Sequence, residues 1–255
     1  MTTTDTRTSI VTGAAGGTGA ALVKRLAERG DNVVLVDLDV DALAKVAADA
    51  GLTEERSLVL RADVSDEADV QAYVDRTLEK FGRIDAFANN AGIESPMGPI
   101  EDQSVATLDR LYNVNVKGVF LGLAEVLPVM KRQGHGAILN TSSLAGIMGA
   151  PGMSPYIMSK HAVIGLTRTT AAEAAPHGVR VNAVLPGTIN TGMMRRIEDS
   201  SGTAEVYKQA NEAATPLGRY GEPDEVAADM DSLLSDDASF VTASLYTVDG
   251  GMVQQ

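Results

Sequence analysis

The run TSIVTGAAGGTGAALVKRLAERGDNVVLVD, residues 8–37, constrains the fold more tightly than any other stretch of the chain. Thr8–Thr12 begins as a short β-branched strand and enters a turn carrying Gly13, Gly17 and Gly19, after which a helical pattern runs to Gly30. Asn32–Val36 then reads as a continuous apolar strand, the signature of one covered on both faces. A strand, a helix and a second buried strand on short connections form a parallel βαβ unit.

The same rhythm continues downstream. Residues 40–50 are helical, 57–61 strand-like, 66–81 helical, and Ile84–Ala88 forms another strand. A long helical region covers Asn115–Lys131, and a strand runs from Gly136 to Ser142-Ser143. Ser154 is placed as the cap of a helix with Pro155 at its first position, which Pro176 and Gly178 stop. Val179–Leu185 is a buried strand, Glu222–Ser235 the last helix and Ser244–Val248 the last strand. This pattern predicts one doubly wound α/β domain of Rossmann type over residues 1–255, its parallel sheet flanked by helices on both faces. Residues 190–215 are polar, methionine-bearing and poorly periodic, which suits either a mobile lid or a surface excursion.

Composition narrows the function. The formal charge of −13 disfavours nucleic acid and anionic lipid as partners, because the summed field repels both. There are no cysteines, which excludes disulfides, thiol catalysis and cysteine-based zinc sites. No run approaches the ~18 consecutive apolar residues of a membrane span, and MTTTDTR lacks the apolar core of a signal peptide. The expectation is a cytoplasmic protein whose mature chain begins near Met1. His135, His161 and His177 are scattered and adjoin no carboxylate cluster with ligand spacing, so no metal site is expected.

The chemistry-bearing residues gather at one edge. Ligands of parallel sheets bind outside the carboxyl ends of the strands, where Gly13–Gly19, Asp37, Asp63 and Asn89-Asn90-Ala91-Gly92 all fall. The glycines permit a tight turn and let a pyrophosphate approach backbone N–H groups, although their G-x-x-x-G-x-G spacing departs from the usual G-x-G-x-x-G. Asp37, at the tip of the second strand, can accept hydrogen bonds from adenosine ribose hydroxyls and would repel a 2′-phosphate, which favours NAD over NADP. Tyr156 and Lys160 share a helix face at a spacing of four residues, with Cβ atoms roughly 5–6 Å apart. One positive charge about 4 Å from a phenol at an effective dielectric of ~20 is worth roughly 4 kcal/mol, on the order of three pKa units. Such a tyrosine can exchange a proton with an alcohol or a carbonyl. Ser143, at the same edge, can steady a substrate oxygen, and Pro186-Gly187-Thr188-Ile189-Asn190-Thr191 can present backbone groups to a bound ring.

TGAAGGTG at 12–19, Asp63-Val64, NNAG at 89–92, Asn115 in NVNVKG, Ser143, Tyr156-x-x-x-Lys160, Pro186-Gly187 with Thr191, and VDGG at 248–251 occur in this order. As a set they resemble the short-chain dehydrogenase/reductase family in its compact form, over nearly the whole chain. That resemblance implies a seven-stranded parallel sheet and hydride transfer with Asn115, Ser143, Tyr156 and Lys160 as the catalytic set. Ser143 would hold the substrate oxygen and Tyr156 exchange its proton. Lys160 would lower the tyrosine pKa and bind the nicotinamide ribose, while Asn115 would seat a relaying water. Gly13, Gly17, Thr18 and Gly19 would surround the cofactor phosphates, with Asp63 and Val64 at adenine and Asn89, Ala91 and Gly92 along the cofactor. Ile189 and Thr191 would orient the carboxamide, with Pro186 and Gly187 also against the cofactor. The family's last helix and strand build a subunit interface, implying a homotetramer. Here Ala243 replaces a frequent glycine, and Asp231 and Ser232 interrupt a helix face that relatives keep apolar.

A narrower resemblance, in NNAGIE, GVFLGL and SDDAS, is to NAD-linked members acting on cyclic or other secondary alcohols and ketones. Met148, Met153, Met193 and Met194 fall in loops bordering the site, where thioethers suit a compact apolar substrate. Glu94, Ser143, Met153 and Met193 are the candidate substrate contacts. Two alternatives stay open. One is a 3-oxoacyl carrier-protein reductase, with Arg195 and Arg196 receiving an acidic carrier; the other is a nucleotide-binding protein without chemistry.

Overall fold

A computed structural model describes residues 6–253. In chain order the elements are β1 (Thr8–Thr12), α1 (Gly17–Arg29), β2 (Asn32–Asp37), α2 (Val40–Asp49), β3 (Ser57–Arg61), α3 (Glu67–Phe81), β4 (Ala86–Asn89), α4 (Val105–Leu111) and α5 (Gly118–Gln133), followed by β5 (Gly136–Thr141), α6 (Ser154–Ala174), β6 (Val179–Pro186), α7 (Gly192–Ser200), α8 (Ala204–Ala214), α9 (Pro223–Leu234) and β7 (Leu245–Val248). The strands form one parallel seven-stranded sheet in the order β3-β2-β1-β4-β5-β6-β7.

The two faces of the sheet follow from the period of two along each strand. Ile10, Val34, Val36, Phe87 and Ile138 pack on one side against Tyr73 of α3, Met130 of α5 and Val163 of α6. Their neighbours Val11, Val33, Leu35, Ala88 and Leu139 pack on the other against Leu22 and Leu26 of α1, Leu43 of α2 and Val226 of α9. Central strands are therefore apolar at every position, which is why they read as continuous runs. Helix starts are written locally: Asp39 caps α2 through Ala42 N, Asp66 caps α3 through Asp69 N, and Glu222 and Glu225 form a capping box on α9.

Several elements differ from the sequence expectation. The helical region before β5 begins at Val105 rather than Asn115, and α4 and α5 are joined by a π-helical turn over Tyr112–Lys117. Among the described residues, the run Val105–Gln133 alone has the length and apolarity of a membrane span, and 61% of its apolar stretch is buried inside the fold. Ser154 lies inside α6, where Met153 occupies the cap position without a side-chain bond and Pro155 takes the first turn. Residues 190–215 are not irregular: they fold into α7 and α8, their periodicity broken only by the turn between two short helices. Ala243 adopts φ 59°, the left-handed conformation that explains why glycine suits this position. Asp231 does not disturb an outer face, because its carboxylate accepts from Arg29 Nη1 at 2.7 Å and ties α9 to α1.

Candidate active site

The sheet order reverses between β1 and β4, and connections leaving the two strands diverge there, opening a crevice at their carboxyl ends. A cleft of ≈ 560 Å³ occupies this position. The glycine turn forms one wall. Gly13 has φ 66°, and a Cβ on Gly19 would stand 2.2 Å from Gly13 O, so the first turn of α1 presses directly on the end of β1. Helix α1 has no side-chain cap and no acid in its first turn, unlike α2 and α3, and Gly16, Gly17, Thr18 and Gly19 line the cleft. Its N-terminal amides and positive dipole end thus face the cavity.

Asp37 lines the same cleft at the end of β2. Its carboxylate accepts from Leu38 N at 2.7 Å and Ala15 N at 3.1 Å, which fixes it against the glycine turn. Asn90 stitches the next strand in place: its amide donates to Thr12 O at 3.0 Å, and Thr141 Oγ1 donates to its Oδ1 at 3.1 Å. Ala91 and Gly92 follow on the wall, as do Pro186, Gly187, Ile189 and Thr191 from the segment after β6. Thr191 also caps α7, accepting from Met194 N at 3.3 Å.

Ser143, Tyr156 and Lys160 occupy the centre of the wall. Tyr156 is 8% exposed and packs among Leu111, Met153 and Ile197. Burial pushes its pKa up to about 12, against the pull of a hydrogen bond with Ser143 and with a further push from the Glu94 charge. Lys160 is buried, donates to Thr141 O at 2.9 Å and lies 5.6 Å from the Tyr156 ring centroid. Burial lowers its pKa to about 8. Desolvation therefore outweighs the charge effect expected from the Tyr–Lys spacing, and the phenol keeps its proton through neutral pH. In that state it donates a hydrogen bond to an oxygen, while the ammonium is largely charged.

Asn115 stands behind this group in the π-helical turn and is fully buried. Its Nδ2 donates to Ile93 O at 2.9 Å and Ser159 Oγ at 3.1 Å, and its Oδ1 accepts from Ile93 N at 2.8 Å. A Cβ on Gly92 would lie 3.4 Å from both Asn115 Oδ1 and Lys160 Nζ, so a bare backbone lets the three meet.

Other expected contacts lie off the wall. Asp63 accepts from Ser65 N and Oγ, and Val64 packs where a Cβ on Gly118 would touch it at 2.9 Å. They follow β3, an edge strand two positions from β1 and hence roughly 10 Å away. Asn89 turns inward and donates to Val119 O at 2.9 Å, because the strand's alternation gives the outward position to Asn90. Glu94 is not on the wall; it pairs with Arg196, which is. Met153, Met193 and Met194 line the cleft, whereas Met148 is exposed outside it. Sequence reasoning put Asn90 at this edge but missed Thr141, Arg196, Tyr207 and Asn211 as lining residues. The last two stand four apart on α8, a helical spacing visible in the sequence once the segment is read as a helix.

A family model described as enoyl-(acyl carrier protein) reductase matches residues 13–253. The chain is 44% identical over 253 residues to levodione reductase of Leifsonia aquatica, covering 96% of this chain and 93% of that protein. The crystal structure of levodione reductase superposes with a TM-score of 0.91 at 43% identity over 96% of each chain. The chain is also 39% identical over 246 residues to 2,5-dichloro-2,5-cyclohexadiene-1,4-diol dehydrogenase of Sphingobium indicum, covering 96% of both. The structure of an NAD+-bound xylitol dehydrogenase superposes at a TM-score of 0.92 and 34% identity, over 98% of this chain and all of that one.

Proposed function

The chain belongs to the short-chain dehydrogenase/reductase family and is an oxidoreductase acting on alcohols, and from that membership we propose that it interconverts a cyclic or otherwise hydrophobic secondary alcohol and its ketone with NAD(H). The observation that carries the reading is that Ser143, Tyr156 and Lys160 share one cleft with the uncapped turn of α1 and with Asp37. The open amides of α1 fit a pyrophosphate, and the fixed Asp37 carboxylate fits two ribose hydroxyls and disfavours a 2′-phosphate. Lys160 would hold the second ribose. A nicotinamide dinucleotide, when bound, supplies or accepts the hydride.

The chain's own residues handle the oxygen and its proton. Ser143 donates to the substrate oxygen and orients it toward Tyr156. During reduction Tyr156 gives its proton to the carbonyl oxygen, and in the oxidation direction it is the phenolate form of Tyr156 that accepts the hydroxyl proton. The Lys160 ammonium stabilises the phenolate left by proton transfer, and Asn115 holds the Ile93 backbone and α6 in register behind it. Met153, Met193, Met194 and Ile197 exclude water from the substrate end. The two arginines that the acyl-carrier reading would use are already paired, Arg195 with Glu198 at 2.6 Å and Arg196 with Glu94 at 2.5 Å. The named activities of the cyclic dione and diol relatives support a ring substrate.

A homotetramer accompanies this reading. Phe240 is 103% exposed and Tyr246, on the edge strand β7, is also exposed, while Val105, Tyr112 and Phe120 are exposed along α4–α5. Two such faces suit two isologous interfaces. The mechanism is tested with Tyr156→Phe, assayed on secondary alcohols and ketones by NADH absorbance. Turnover should fall roughly 10²–10⁴-fold with NAD binding kept by calorimetry; retained turnover removes Tyr156 from the chemistry.

A further inference from the structure

Three residues lining the cleft carry charge at neutral pH: Asp37, Lys160 and Arg196. The first two belong to the dinucleotide and the reacting centre. Arg196 stands at the substrate end among methionines and has no part in the reaction described above. Its guanidinium is held by Glu94, from the segment after β4, with Nε donating to Oε1 at 2.5 Å and Nη2 to Oε2 at 3.3 Å. That pairing uses one edge of the planar fork and leaves Nη1 outside it. A Cβ on Gly192 would stand 3.5 Å from Nη1, and Gly192 is itself part of the cleft wall. Arg196 itself lines the cleft, and its Nη1 lies beside a wall residue that has no side chain.

We propose that Arg196 is a specificity-determining residue whose cleft-facing edge donates to a second oxygen of the substrate, so that the preferred class is a neutral ring ketone or alcohol bearing another carbonyl or hydroxyl group. This rests on the oxidoreductase reading above. Glu94 is the positioning residue: its carboxylate is 17% exposed against 63% for the guanidinium, so the anchored member of the pair is the acid. It also decides the charge of the preferred group. With Glu94 already supplying the counter-charge, a substrate carboxylate would bring a second anion to the same guanidinium, whereas a neutral acceptor meets no such repulsion. The charge of Glu94 already reaches Tyr156 and raises it, and another anion nearby would add to that push.

A charge-assisted hydrogen bond at a half-open rim corresponds to roughly a tenfold preference. The test measures kcat and KM for cyclohexanone, cyclohexane-1,4-dione and 4-oxocyclohexanecarboxylate in the wild type, Arg196→Met, Arg196→Lys and Glu94→Gln, with NADH binding as the control for folding. The wild type should favour the dione over cyclohexanone in kcat/KM by about tenfold beyond the factor of two from its two equivalent carbonyls. Arg196→Met should collapse that excess, mainly through KM, and Arg196→Lys should restore part of it. Glu94→Gln should raise the carboxylate relative to the dione about tenfold. A dione preference unchanged in Arg196→Met, or no gain for the carboxylate in Glu94→Gln, overturns the proposal. A wild type that reduces none of the three also overturns it, while the Tyr156→Phe comparison on other alcohols judges the oxidoreductase reading separately.

Discussion

Replacing Lys160 by methionine should abolish turnover and yet make the fold more stable at neutral pH. Burial lowers the lysine from its ordinary 10.5 to about 8. Holding the ammonium inside the protein at pH 7 thus costs about 3 kcal/mol. Methionine fills the same volume without the charge, and the loss of the bond to Thr141 O removes about 1 kcal/mol. The net gain is about 2 kcal/mol, or roughly 4–8 °C in Tm for a chain of this size. The pH dependence identifies the cause. Between pH 8 and 10.5 the unfolded chain holds a proton that the folded chain has released, so wild-type stability from this group rises with pH across that window. The penalty shrinks to about 1 kcal/mol by pH 10, and the advantage of Lys160→Met should vanish there. Tyr156, whose pKa is raised, acts in the opposite sense above pH 10 but is present in both proteins. Urea unfolding at pH 7, 8.5 and 10, at one protein concentration, measures the difference. A variant no more stable than wild type at pH 7, or a gap that stays constant to pH 10, would refute the reasoning.

Asp37→Ala should reduce the preference for NAD over NADP about tenfold or more, read by calorimetry; tighter binding of NADP by the wild type would end the role given to Asp37. Ala243→Gly relieves the left-handed alanine and should add about 0.5–1 kcal/mol in urea unfolding, whereas a loss of stability would mean that the methyl group packs usefully. Phe240→Arg should break the proposed tetramer into smaller species in sedimentation velocity; an unchanged profile would exclude that face from the interface.

The fold was legible because its strands are buried on both faces, so that consecutive apolar residues such as Val33–Val36 mark a strand without any knowledge of its neighbours. Expected strand and helix ends mostly fall within two residues of those observed, since caps such as Asp66 are local signals. The long helix is shortened at its start because a π-helical turn shifts the apolar register at Tyr112–Lys117, and α7 and α8 are hidden because the turn between them breaks the period of the segment taken as one. In the site, strand ends point Ser143 and Asp37 to one edge and helix spacing pairs Tyr156 with Lys160, and all four line one cleft. What pattern could not supply was side-chain direction, which separates Asn89 from Asn90, and partners distant in sequence, which give Glu94 to Arg196 rather than to the cavity. Nor could spacing reveal the balance of burial against charge that leaves Tyr156 protonated.

The place of β1 in the sheet also sets when binding competence is acquired. Ser9 pairs with Val33 on one side but with Ala86 on the other, and the cleft is walled by turns drawn from both halves of the chain, as late as Thr191. At a synthesis rate of about 5–20 residues per second, Thr191 follows Gly13 out of the ribosome by roughly 10–40 s. Until β4 emerges the glycine turn lies beside a strand with one edge unpaired, and until Thr191 follows the dinucleotide has only part of its contacts to find. Cofactor can therefore reward only the finished topology, acting as a seal on completed molecules rather than as a template for nascent ones.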